Sequence, residues 1–147
     1  MEKIMQYNVN TSWNYEKLGI IKSSVLDDII EVATPPEFTG GIAGVWTPEH
    51  LLIGAISSCF MTTFLALAEK MRLKFSHFNC DTVLLIENSE GKLSVPQITI
   101  HPIVTINNDK MSSKGLKVLD ITAKTFFINT ILKTKINFIP QINFYES

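Results

Sequence analysis

The chain opens on alternating polar and apolar positions, the pattern of half-buried strands. Tyr7, Val9, Thr11 and Trp13 make the first run, Gly19 to Val25 the second and Ile29 to Ala33 the third. Asn14-Tyr15-Glu16 and Leu26-Asp27-Asp28 fall where tight turns would join these runs into a meander. Thr34-Pro35-Pro36 ends the alternation, since proline brings no N–H to a ladder. Phe38 to Gly44 holds three glycines and reads as a flexible loop.

At Thr47 the period changes to that of a helix. Thr47 suits the N-cap, Pro48 the first helical position, and Glu49 the positive end of the helix dipole. The helix runs to about Met71, where Lys70 and Arg72 suit the carbonyl end. Phe75 to Glu87 and Leu93 to Ile106 are extended runs joined by the hairpin signal Asn88-Ser89-Glu90-Gly91. Ser112 or Ser113 caps a second helix with Leu116, Leu119, Ile121, Thr122 and Phe126 on its inner side, and Gly115 weakens its first turn. Ile136 to Tyr145 closes the chain as a last strand. The order βββ-α-ββ-α-β predicts an α+β fold in a single domain over 1–147. An N-terminal antiparallel sheet precedes a long buried central helix, a β-hairpin, a second helix and a final strand.

Composition adjusts this picture in three places. Hydrophobic residues are 46% of the 147 and charged residues 18%, more apolar surface than so small a chain readily encloses, which points to a second copy as cover. The net charge is −1 and no basic run is interleaved with aromatics, which leaves nucleic-acid binding without an electrostatic footprint. Leu51 to Ala68 carries no charge over about eighteen residues, the length of a membrane span. Its centre holds Gly54, Ser57, Ser58, Thr62 and Thr63, and the rest of the chain reads as sheet and amphipathic helix. A buried central helix in a protein without a membrane is the better reading. Met1 to Asn10 lacks a secretory pattern, so a cytoplasmic location is expected, with Cys59 and Cys80 as free thiols.

Cys59 is the first candidate for chemistry. Its neighbours Ser57, Ser58, Phe60, Met61, Thr62 and Thr63 are small or apolar, so a thiol buried there is inert unless a cation reaches it from elsewhere. Glu49 is either an ordinary helix-start carboxylate or a base or orienting group for a basic residue. Ten residues of helix separate the two, about 15 Å at the rise of a straight helix. If they share a site, the helix breaks between them or the glutamate comes from a second subunit. Cys80, in mid-strand, reads as a packing residue. His50, His77 and His101 lack metal-ligand spacing with the cysteines, so no metal is expected. The loop at Gly40-Gly41 lacks the Lys-Ser/Thr ending of a phosphate loop and the dinucleotide spacing, so no cofactor is expected either.

The run Trp46-Thr47-Pro48-Glu49-His50-Leu51-Leu52, with Ala55 and Ser57-Ser58-Cys59-Phe60-Met61-Thr62-Thr63-Phe64-Leu65-Ala66-Leu67-Ala68, resembles the central helix of the OsmC/Ohr family. Pro36-Glu37 and Gly40-Gly41 upstream also fit. The resemblance implies an OsmC-like, intertwined homodimer with two sites at the subunit interface. It also implies that a cysteine at the position of Cys59 attacks a hydroperoxide. A glutamate at the position of Glu49 would hold an arginine from the N-terminal strands against that thiolate. A second cysteine on the later helix would close a disulfide that an external thiol reopens.

Two parts of that pattern are missing. The position of the second cysteine falls on Phe126 or Phe127, and the only arginine, Arg72, sits at the wrong end of the helix. Lys17, in the first turn, is the nearest cationic replacement, though it offers a point charge and not a bidentate guanidinium. The resemblance therefore implies Cys59, Glu49 and Lys17 as catalytic residues of a thiol-dependent hydroperoxide reductase. Its substrate would be a small apolar hydroperoxide and its reductant an external thiol. The alternative is a non-catalytic homodimer that binds a small hydrophobic ligand.

Overall fold

A computed structural model describes residues 2–145. The chain falls into two compact units, Met1–Leu51 and Leu52–Ser147. In the first, β1 (Asn10–Tyr15), β2 (Leu18–Lys22) and β3 (Ile30–Ala33) form an antiparallel sheet in the order β1-β2-β3. The first turn lies slightly later than the alternation predicts. Tyr15 pairs with Leu18 and leaves Glu16 and Lys17 as a two-residue loop, with Glu16 at φ +50°. A register shift between Trp13 and Tyr15 accounts for the displacement. The second strand stops at Lys22 and not at Val25, because Leu26 N–H turns back to the Ser23 carbonyl at 3.2 Å. Val32 bridges in parallel to Trp46, and Ala33 N–H donates to the Trp46 carbonyl at 2.8 Å, which delivers the chain to the helix start.

The long helix, α1 (Pro48–Lys70), is unbroken. Thr47 Oγ1 accepts the His50 N–H at 3.2 Å, the expected N-cap bond. At the other end, Leu73 N–H reaches the Ala68 carbonyl at 2.8 Å and Arg72 N–H the Glu69 carbonyl at 3.1 Å. These are the two bonds of a Schellman cap, and they place Arg72 at its left-handed position with φ +55°. Arg72 therefore ends the helix. Arg72→Gly should raise stability by about 0.5–1 kcal/mol, since a side chain is strained at that φ. A urea midpoint that fell in the variant would contradict this role.

The second unit is built on an antiparallel hairpin of β4 (His77–Ser89) and β5 (Lys92–Ile106). Glu90 (φ +54°) and Gly91 (φ +82°) form its two-residue turn, the left-handed pair that a tight hairpin requires. Helix α2 (Ser112–Thr125) follows, then β6 (Ile136–Phe138) and β7 (Gln141–Phe144), both parallel to β5. The two last strands share one register on β5, from Ile98 opposite Ile136 to Ile106 opposite Phe144. Pro140 interrupts the line between them.

Two readings of α2 are corrected. Neither Ser112 nor Ser113 caps it. The N-cap position is Met111, which offers no side-chain bond, and Asn108 instead caps the short turn before it by accepting the Lys110 N–H at 3.0 Å. The inner face is Gly115, Val118, Leu119 and Thr122, while Leu116 stays exposed. Gly115 is there for packing: a Cβ would come within 3.0 Å of Ile142 Cδ1 on β7.

The core of this unit gathers Ile56, Phe60, Phe64 and Ala68 of α1 with Ile98, Ile100, Val104 and Ile106 of β5 and with Val118, Leu119 and Phe126. Phe64 stacks on Phe78 at 4.9 Å and meets Phe75 edge-on at 5.2 Å. One i, i+4 stripe of α1 is thus fully buried. Leu52, Met61 and Leu65, on other faces of the same helix, remain substantially exposed. By length and composition α1 could also cross a membrane, as its sequence forewarned. Three of its hydroxyls are satisfied within the helix: Ser57, Ser58 and Thr62 donate to the carbonyls of Gly54, Ala55 and Cys59.

Candidate functional site

The turn between β1 and β2 sets Lys17 at the edge of an open cavity of about 560 Å³. Glu49, in the first turn of α1, lines the same cavity, with Trp13, Val32, Thr34 and Phe38 among its walls. Two of the three predicted site residues therefore meet around one space. They are not paired, however. Among the described residues the one salt bridge is Lys124–Asp120, on the surface of α2.

Glu49 Oε2 is buried and finds no hydrogen-bond partner among the described residues. A buried acceptor left unsatisfied costs about 1–3 kcal/mol, which a donor reaching this oxygen would relieve. Next to it the helix start is closed by side-chain contacts. Thr47, itself buried, contacts His50 Nδ1 through Oγ1 at 2.7 Å, and the His50 ring meets Trp46 edge-on at 6.0 Å.

The walls of the cavity were not singled out in the sequence. Trp13 sits on an exposed edge strand and anchors through Nε1–H to the Glu16 carbonyl at 3.0 Å. The signal lay in the turn, where a large aromatic precedes Glu16-Lys17. The glycine loop also has a firmer structure than its composition implies. Gly41 N–H donates to the Phe38 carbonyl at 2.9 Å, and Ile42 N–H to the Thr34 carbonyl at 3.0 Å. A Cβ at Gly41 would lie 1.8 Å from the Pro35 carbonyl oxygen, so only glycine fits.

Cys59 lies ten residues along α1 from Glu49, in the second unit and not in the wall of that cavity. Because the helix does not break, about 15 Å of rise separates the two within one chain. Cys59 is partly buried against the aromatic core, one position from Phe60. Phe126, at the position expected of a second cysteine, is fully buried and packs on Phe60 at 5.5 Å. Phe127 is exposed on the following turn.

Cys80 lies on β4 opposite Pro102 and packs against the same core. Burial pushes its thiol up, a contact with Thr82 pulls it back in part, and Asp81 raises it further. It should alkylate slowly with iodoacetamide at neutral pH, and fast modification of Cys80 in a peptide map would contradict that placement. Stability from the protonated Cys80 is complete below the thiol's ordinary range and is lost as pH rises through its elevated value.

The comparisons with known proteins agree with this architecture. Residues 41–140 match the family model described as OsmC-like protein. The chain is 24% identical to the Bacillus subtilis protein YmaD over 105 residues, which is 70% of this chain and 68% of that protein. Its fold is similar to an OsmC-like protein of Vibrio cholerae, with a TM-score of 0.79 at 18% identity over 93% of this chain and 99% of the other. It is also similar to an organic hydroperoxide resistance protein of Legionella pneumophila, with a TM-score of 0.72 at 13% identity over 95% and 99% of the two chains. With its family model covering most of the sequence and its α+β architecture shared almost end to end, the chain belongs to the OsmC-like family.

Proposed function

We propose that this OsmC-like chain is a cytoplasmic, homodimeric, thiol-dependent reductase of organic hydroperoxides that works through Cys59. What carries the reading is that one cavity is lined both by Lys17 and by Glu49, whose Oε2 is buried without a hydrogen-bond partner among the described residues. A lysine and a carboxylate that line one cavity can together supply the cation a thiolate needs beside it. The neighbouring Legionella protein is described as an organic hydroperoxide resistance protein, which favours the same chemistry.

The unbroken helix keeps Glu49 from Cys59 of its own chain. In this reading the site is shared: Glu49 and Lys17 of one subunit face Cys59 of the other. The exposed apolar residues Leu52, Met61 and Leu65 of α1 supply a surface for the second copy.

In the first step the Cys59 thiolate attacks the outer oxygen of the hydroperoxide. The O–O bond breaks, sulfur is oxidised to a sulfenic acid, and the alcohol leaves after taking a proton. With phenylalanine at both candidate positions for a resolving cysteine, an external thiol condenses with the sulfenic acid and releases water. A second thiol then reduces the mixed disulfide.

Without added thiol, one equivalent of cumene hydroperoxide should leave a dimedone-trappable sulfenic acid at Cys59. A Cys59–Cys80 disulfide, or no adduct at all, would rule out this cycle. The second reading is a homodimer that binds a small hydrophobic ligand without turnover. It draws on Phe126 filling the core where a second thiol would sit, and the absence of a dimedone adduct would favour it.

A further inference from the structure

Among the described residues Lys17 lines the cavity without an ion pair, and its direction comes from packing. The contact is specific. A Cβ built on Gly40 would stand 3.3 Å from Lys17 Cγ, 3.4 Å from Cε and 4.0 Å from Cδ. The lysine methylenes thus lie along the bare Cα of Gly40, and apolar stems of this kind pack where the charged head is left to solvent or a partner.

The backbone on both sides of that contact is tied down. Thr34 N–H donates to the Lys17 carbonyl at 3.2 Å, and Ile42 N–H donates to the Thr34 carbonyl at 3.0 Å. The loop and the turn are therefore in register with each other. Gly40 itself has φ +77°, where a side chain is strained in any case.

We propose that Gly40 is a positioning residue: it forms the floor on which the Lys17 side chain lies and so aims the ammonium at the cavity bordered by Glu49. The inference rests on the reading of Lys17 as the cation of the site. A Cβ at this position lifts the lysine stem by a few tenths of an ångström or turns it to another rotamer. Either movement changes where the ammonium sits in the cavity that Glu49 also lines.

Gly44 provides the control. It lies in the same loop with φ +79°, and a Cβ there meets nothing within 4 Å. Gly44→Ala therefore introduces the same backbone strain without touching Lys17.

The test measures the acylation rate of the Lys17 amine by peptide mapping in the native protein, Gly40→Ala and Gly44→Ala. The expected result is a change of roughly threefold or more in Gly40→Ala and none in Gly44→Ala, the size of an ordinary coupling between touching residues. Equal changes in both variants, or no change in either, would overturn the proposal. If Gly40→Ala fails to fold, the native protein still decides. Nuclear Overhauser contacts from Gly40 Hα to the Lys17 γ and ε methylenes are expected, and their absence overturns the proposal. Hydroperoxide consumption is read in parallel. Labelling that shifts only in Gly40→Ala, in a protein that consumes no hydroperoxide, upholds the positioning and refutes the catalytic reading alone.

Discussion

Cys59→Ser should abolish consumption of organic hydroperoxides in the presence of a dithiol, by roughly 10³-fold or more. A serine hydroxyl is neither ionised near neutrality nor soft enough to attack an O–O bond, so the cycle stops at its first step. No second thiol can take over. Cys80 faces the core, and burial raises its pKa, which suppresses the thiolate it would need. Cys80→Ser should accordingly retain the native rate. Consumption that survives in Cys59→Ser would end the peroxidase reading, whatever the state of Lys17 and Glu49.

Phe60→Ala should cost about 3–5 kcal/mol, the range for removing a fully buried phenylalanine. Phe60 has no exposed surface, and its ring meets Phe78 at 6.5 Å, Phe126 at 5.5 Å and Phe138 at 5.8 Å. One ring thus connects α1 to β4, to the end of α2 and to β6. Its loss opens a cavity that these four elements cannot all close, and it removes three aromatic contacts at once. A domain of this size has a net stability of about 5–15 kcal/mol, so the variant sits near the edge of folding. Urea unfolding gives the number, and a loss under about 1 kcal/mol would show that the aromatic cluster is not the centre of the core.

Much of the fold was legible because local physics and tertiary demand coincide. Thr47-Pro48-Glu49 starts a helix by capping and dipole, and α1 begins there. Glu90-Gly91 turns a hairpin because both positions need positive φ, and β4 and β5 meet across them. What failed was set by distant neighbours. The inner face of α2 includes Gly115, whose missing side chain admits Ile142 from a strand about twenty-five residues away, and no periodicity of apolar residues can mark a glycine as a packing position. The parallel pairing of β6 and β7 on β5 was likewise not readable from hairpin signals, since it is made by the crossover through α2.

The site was legible in part. The distance along α1 already separated Glu49 from Cys59, and the continuous helix sharpens that separation. The placing of Lys17 and Glu49 in one site came from the resemblance and not from spacing, because a turn and a helix start thirty-two residues apart carry no common pattern. The contact of Lys17 with Gly40 had no sequence signal at all: a glycine in a loop reads as freedom, and here it reads as room for another side chain.

The shared site is tested most directly by subunit complementation. Cys59→Ser and Glu49→Gln chains, each inactive alone, are co-expressed and purified as a mixed population. Half of the dimers are then heterodimers, and each of these carries one site with both native residues if Glu49 and Cys59 come from different subunits. The expected result is recovery of about a quarter of the native rate of hydroperoxide consumption. A mixture no more active than either variant alone, with heterodimers present by native mass spectrometry, would contradict a site built from two chains.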